Sequence, residues 1–210
     1  MKIGWFALLP ASVFVLLATH LGAGSPLQVW DDSFSHAVGM HTPPKLREMF
    51  ALLTHLGDPP LLWALGTLVA VGLIARKHRA LAAAWVFALL GNGLLNRGLK
   101  AFFVRARPLI DGLPGPEHSF SFPSGHSSAS MVAYGMLAWL VWRLAAPHWR
   151  RPVTMAALTI VGLVACSRIV LQVHYASDVV AGLCSGLVWM LLTIGVAQVI
   201  QRNRPTRFHQ

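Results

Sequence analysis

The chain has 210 residues, of which 55% are hydrophobic and 11% charged, against about 25% charged in an average soluble domain. With a mean hydropathy of +0.59, there is too little polar side chain to cover a water-soluble globule of this size. Two cysteines and an apolar majority exclude a disulfide-rich secreted scaffold, a disordered chain and a coiled coil. The fold class expected is all-α: a polytopic membrane protein with a short interfacial helix and a six-transmembrane-helix bundle, each span taking about 20 apolar residues. All of it is read as one domain, residues 1–210.

The first apolar stretch, Gly4 to Gly22, follows Lys2. It is longer than the core of a signal peptide and carries Trp5 and Pro10, so it reads as a retained helix; cleavage near Gly22-Ala23-Gly24 is the alternative. A polar segment with Asp31 and Asp32 leads to Thr42-Pro43-Pro44. Between Lys45 and Leu56, the residues Leu46, Met49, Phe50, Leu53 and Leu56 share one helical face, the pattern of a helix lying on a membrane surface. Gly57-Asp58-Pro59-Pro60 breaks it, with Asp58 as N-cap and Pro59 at the first position of the next helix.

The second span is then Leu61 to Ala75 and the third Ala80 to Leu99, followed by a polar, Gly- and Pro-rich loop from Arg105 to Pro123. Ser124 to Leu144 makes the fourth span, Pro147 to Pro152 a basic turn, Val153 to Arg168 the fifth span and Ser177 to Ile200 the sixth. Gly182 and Gly186 form a small-xxx-small pair, the mark of close helix packing. Cys166 and Cys184 lack metal-ligand spacing and read as buried small residues.

Seventeen Lys and Arg against seven Asp and Glu give a formal charge of +10. In a soluble chain that excess would point to nucleic acid. Here the basic residues form no stripe and no aromatic-basic interleaving, so nucleic acid is excluded as a partner. Lys2, Arg76, Lys77, Arg79, Arg143, Arg150, Arg151, Arg202, Arg204 and Arg207 fall at one set of span ends, and every acidic residue falls at the other. The positive-inside rule makes the first side, with both termini, cytoplasmic.

Three segments on the outward side carry chemistry: Lys100-x6-Arg107-Pro108, Pro123-Ser124-Gly125-His126, and Ser167-Arg168-x5-His174-x3-Asp178. Taken singly, each has a structural reading as interfacial anchor, helix start or polar neighbour. Taken together they hold the parts of a phosphoryl-transfer site. Lys100, Arg107 and Arg168 supply cations, two of them guanidinium forks matched to phosphate oxygens. Ser124, Gly125 and the amides after them open a helix, where an anion is favoured. In a helical segment His174 and Asp178 share a face, so the carboxylate can hold one ring nitrogen protonated and leave the other to attack. His126 is a second imidazole, available as acid or base.

The three spacings resemble, without gap or substitution, the signature of the type 2 phosphatidic acid phosphatase family, the lipid phosphate phosphatases. The resemblance implies an integral membrane hydrolase of lipid phosphate monoesters or diphosphates on the outer face of the inner membrane. His174 would be the nucleophile that becomes phosphohistidine, Asp178 would orient it, and His126 would be acid then base. Lys100, Arg107, Ser124, Gly125 and Arg168 would hold the phosphoryl oxygens, with no metal and no other cofactor. The substrate partner would come from the bilayer: undecaprenyl diphosphate or phosphatidylglycerol phosphate first, then phosphatidic acid or lipid A phosphates. A lipid phosphotransferase and a non-catalytic binder or transporter are the alternatives, and a vanadium haloperoxidase is disfavoured by the apolar spans. Arg97 and Arg105, outside the signature, read as interfacial anchors, with contact to a second phosphate or headgroup as the alternative for Arg105. Asp111, Glu117 and His118 in the same loop are assigned no chemistry.

Overall fold

Prolines punctuate this chain, and four helices open on one: Pro26, Pro44, Pro59 and Pro147 each stand at a first helical position. A first helical residue has no intrahelical use for its N–H, and the proline ring presets the helical φ. The computed structural model describes residues 3–110, 113–114 and 119–202. Lys2, Arg204, Arg207, Asp111, Glu117 and His118 lie outside the described residues.

The elements are α1 (Ile3–Thr19), α2 (Pro26–His41), α3 (Pro44–Leu53), a 3-10 turn (Thr54–Gly57), α4 (Pro59–Ala75) and α5 (Arg79–Phe103). A two-residue antiparallel ladder, β1 (Leu109–Ile110) and β2 (Leu113–Pro114), precedes α6 (Gly125–Leu144), α7 (Pro147–Val170) and α8 (Ala176–Arg202). The segment with Asp31 and Asp32, expected as a polar connection, is helix α2. Its cap was readable: Ser25 accepts from the Gln28 N–H and Pro26 follows. Pro147 to Pro152 is likewise not a turn but the first turns of α7, with Pro152 inside the helix.

Among the described residues, four runs are long and apolar enough to cross a membrane: Pro44–Ala75, Arg79–Phe103, Pro147–Val170 and Ala176–Arg202. The other two expected spans differ for separate reasons. Helix α1 has 17 residues, a rise of about 25 Å. Helix α6 packs against α4, α5, α7 and α8 and buries Ser127, Ser128 and Ser130 among them. A helix enclosed by its neighbours does not need an apolar outer face. By contrast, Leu68, Val71, Leu94, Leu158 and Val196 lie exposed on the outer helices, as lipid-facing positions do.

Two apolar clusters surround α6, one with Trp85, Val132, Met136 and Ile194, the other with Leu62, Tyr134, Ala157 and Val161. Indole N–H groups pin the helices across them: Trp85 Nε1 donates to the Gly66 carbonyl and Trp189 Nε1 to that of Ala88, each at 2.9 Å. The thiols of Cys166 and Cys184 are free, and Cys166 is exposed rather than buried.

The Gly182 and Gly186 pair does bring α8 against the backbone of the α6 start. A Cβ at Gly182 would stand 2.5 Å from the Ser124 carbonyl oxygen, and one at Gly186 would stand 2.7 Å from that of Ser128. Gly195, farther along α8, has nothing within 4 Å. Gly182→Ala is therefore expected to cost about 1–3 kcal/mol through overpacking and lower the thermal midpoint in detergent. Gly195→Ala on the same helix should leave the midpoint unchanged or raise it.

Candidate active site

Helices α4 and α5, the start of α6 and the α7–α8 connection enclose a cavity of about 410 Å³. Of the residues expected at the site, Lys100, Arg107, Gly125, His126 and His174 line it. Arg97, expected as an interfacial anchor, is also on its wall. Leu62, Trp63 and Leu89 continue the wall away from the charged end. One end of the cavity thus offers cations and imidazoles and the other offers hydrocarbon.

His174 precedes α8 rather than lying in it, and its ring is 2% exposed. Its Nδ1 is 3.3 Å from Ser121 Oγ and 3.6 Å from Asp178 Oδ2. The second distance is too long for a direct hydrogen bond, so Ser121 stands between them. The Ser121 hydroxyl donates to Asp178 Oδ2 at 2.5 Å, leaving its lone pair to accept from Nδ1–H. That tautomer leaves the lone pair on Nε2, 3.3 Å from Arg107 Nη1. Burial pushes the His174 imidazolium down to about 4, against an opposing pull from Asp178. Burial therefore favours the neutral ring at physiological pH.

Asp178 is fully buried, and its other oxygen accepts from Arg105 Nη1 at 2.6 Å. Arg105 is not an interfacial anchor. It is 7% exposed, stacks 4.4 Å over the Tyr175 ring, and donates at 2.8 Å each to Asp31 and Gln28 of α2 and at 2.7 Å to Ser177. Burial opposes its charge, but the Asp178 and Asp31 carboxylates outweigh that and hold its pKa above the usual value. Asp31, also fully buried, accepts from the Ser177 N–H at 3.1 Å. Helix α2 thereby supplies a cap for the first turn of α8, the turn that carries Asp178.

Two expected site residues, and Asp58, expected only as a helix cap, are placed differently. Ser124 is fully enclosed; its hydroxyl accepts from Ser127 as the N-cap of α6, and its N–H donates to the Asp178 carbonyl at 2.9 Å. It shapes the helix start rather than lining the cavity. Arg168 is 3% exposed and donates to Thr54 Oγ1 at 2.8 Å. Asp58 stands at the N-cap of α4, yet its side chain makes no capping bond. Pro59 and Pro60 leave few N–H groups there to cap, and the carboxylate instead meets His126 Nε2 at 2.8 Å and His55 Nδ1 at 2.6 Å.

Comparison with known proteins matches residues 81–202 to the PAP2 superfamily, more than half of the 210-residue chain. The chain belongs to the PAP2 superfamily. It is 30% identical over 194 residues to phosphatidylglycerophosphatase B of Bacillus subtilis, an alignment covering 91% of this chain and 94% of the relative. A lipid A 1-phosphatase of Rhizobium johnstonii is 29% identical over 176 residues, covering 72% of this chain and 68% of that one. The crystal structure of the transmembrane PAP2-type phosphatidylglycerolphosphate phosphatase from B. subtilis superposes with a TM-score of 0.82, covering 93% of this chain and 98% of that one at 30% identity. Aquifex aeolicus LpxE shares the fold at a TM-score of 0.61 and 21% identity, covering 78% and 93%. This PAP2 protein is a multi-pass membrane lipid phosphatase, a phosphoric monoester hydrolase. Ser121 and Arg105 fall inside the matched segment, Asp31 and Asp58 outside it.

Removing Arg105 leaves two buried carboxylates uncompensated, a loss worth about 3–5 kcal/mol. Arg105→Ala in the PAP2 phosphatase should lower the thermal midpoint and abolish phosphate release. Adding Asp31→Asn should restore part of the midpoint. The pH profile supplies a second check. A nucleophilic role for His174 would require the neutral ring, so its lowered pKa would move the acid limb of kcat/KM down from the ordinary histidine range toward pH 4. The measurement uses a substrate whose own phosphate ionisation is titrated separately.

Proposed function

We propose that this protein hydrolyses phosphate monoesters or diphosphates of amphiphilic lipids through a phosphohistidine on His174, without a metal. The observation that carries the reading is the His174 ring: Nδ1 held by Ser121, which bridges it to Asp178, and Nε2 beside Arg107 on the cavity. A substrate phosphoryl group seated between Lys100, Arg107 and the α6 N-terminus places phosphorus against Nε2. The Gly125 amide and the helix dipole add to the field that stabilises the equatorial oxygens. Arg168 and Ser124 hold the walls of that cradle in place. His126 protonates the leaving oxygen and then takes a proton from the attacking water.

The apolar wall of Leu62, Trp63 and Leu89 suits a lipid tail, and the likeness to a phosphatidylglycerophosphatase favours phosphatidylglycerol phosphate. Undecaprenyl diphosphate stands beside it, with Arg97 on the cavity wall as a cation for a second phosphate. Phosphatidic acid and lipid A phosphates follow. The charge pattern supports six spans, with both termini cytoplasmic and the site facing the periplasm or exterior.

The test is phosphate release by purified protein in detergent with a chelator present, across these four lipids. Activity should persist under chelation, and a denaturing quench at alkaline pH, where the phosphorus–nitrogen bond survives, should trap one phosphate on His174. His174→Ala should lose activity by at least about 10³-fold, as activated nucleophiles do. Turnover that survives in His174→Ala, or that stops with chelator, refutes the mechanism.

A further inference from the structure

We propose that Asp58 is a positioning residue for His126, forming a second carboxylate–imidazole pair whose ring, like that of His174, lines the cavity. The proposal rests on the acid–base role given to His126 above. Asp58 comes from the break between the 3-10 turn and α4, and His126 from the first turn of α6. Their side chains meet at 2.8 Å between Oδ1 and Nε2, although they stand 68 residues apart in the chain. The other carboxylate oxygen is engaged by His55 Nδ1 at 2.6 Å, so Asp58 is fixed at both oxygens. It makes no capping bond to its own helix; among the described residues its carboxylate meets the two imidazoles. The Gly57 backbone beside it packs on the same ring: a Cβ at Gly57 would stand 3.2 Å from His126 Cδ2.

The consequence for proton transfer is specific. A carboxylate at Nε2 holds a proton there and stabilises the imidazolium, so the proton that His126 exchanges is the one on Nδ1. In the first half-reaction the His174 Nε2–phosphorus bond forms and the phosphorus–oxygen ester bond breaks. The Nδ1 proton of His126 passes to the departing oxygen, leaving His126 neutral. In the second, water attacks phosphorus, the phosphorus–nitrogen bond breaks, and the water proton returns to His126 Nδ1. Asp58 keeps its charge throughout and touches no reacting atom.

The test uses the full-length protein in detergent and two amphiphilic phosphomonoesters with the same alkyl tail, one releasing an alkyl alcohol and the other a nitrophenol. A nitrophenolate leaves without needing a proton; an alkoxide does not. Asp58→Asn should lower kcat/KM on the alkyl ester by about 10²-fold and on the nitrophenyl ester by less than about 3-fold, with an unchanged thermal midpoint. Asp58→Ala should show the same selectivity. Equal losses on both esters would mark a merely structural residue and overturn the proposal, as would full activity on both. His126→Ala in the same assay separates the two levels. If it shows no selectivity for the nitrophenyl ester, the role of His126 itself has failed. If it shows selectivity and Asp58→Asn does not, only the role of Asp58 has failed.

Discussion

A guanidinium enclosed in a membrane protein must be neutralised where it sits, and Arg105 is neutralised by two carboxylates that are themselves fully buried. Desolvating one of these charges alone would cost several kcal/mol. Brought together, with Ser177, Gln28 and the Tyr175 face completing the shell, they become a single unit that cannot be dismantled piecemeal. The unit binds α2 to the α7–α8 connection and sets Asp178 at the depth and angle that His174 requires. The His174 ring is thus backed by an ion cluster on the side away from Nε2.

The sign of the charges follows the same geometry. Asp31 and Asp178 lie behind His174, where Arg105 absorbs them, while Lys100 and Arg107 face the cavity. The cavity therefore presents cations, an imidazole and a helix N-terminus, with these two carboxylates behind its wall. The start of α6 is held just as indirectly. Gly182 lets α8 touch the Ser124 backbone, and the Asp178 carbonyl takes the Ser124 N–H. The first two turns of α8 therefore locate both Asp178 and the start of α6.

The signature residues were legible because their chemistry depends on residue type and on spacings of a few positions. Five of them do meet at one cavity. Ser124 and Arg168 were legible as members but not as to where they point, because capping and packing decide that and neither has a period in sequence. Helix α2 was missed because its burial is confined to Asp31 and Ser35, which leaves no apolar stripe for a periodicity reading; its Ser25-Pro26 start was the available signal. Arg105 and Asp58 were assigned surface and capping duties because their partners lie 73 and 68 residues away. Contacts at such separation are properties of the folded bundle.

Low charge content has a further meaning in this setting. Seven acidic residues serve a chain of 210, and three of them, Asp31, Asp58 and Asp178, are paired with groups at or behind the catalytic cavity. In a membrane protein each such carboxylate must be matched by a partner or not kept at all. Asp31 and Asp58 sit outside the segment that defines the superfamily, on α2 and at the start of α4. The amino-terminal third of the chain therefore does more than add helices to the bundle. It delivers the counter-charges that fix one imidazole directly and the other through Arg105 and Asp178, so the carboxy-terminal signature and the amino-terminal helices form one functional unit.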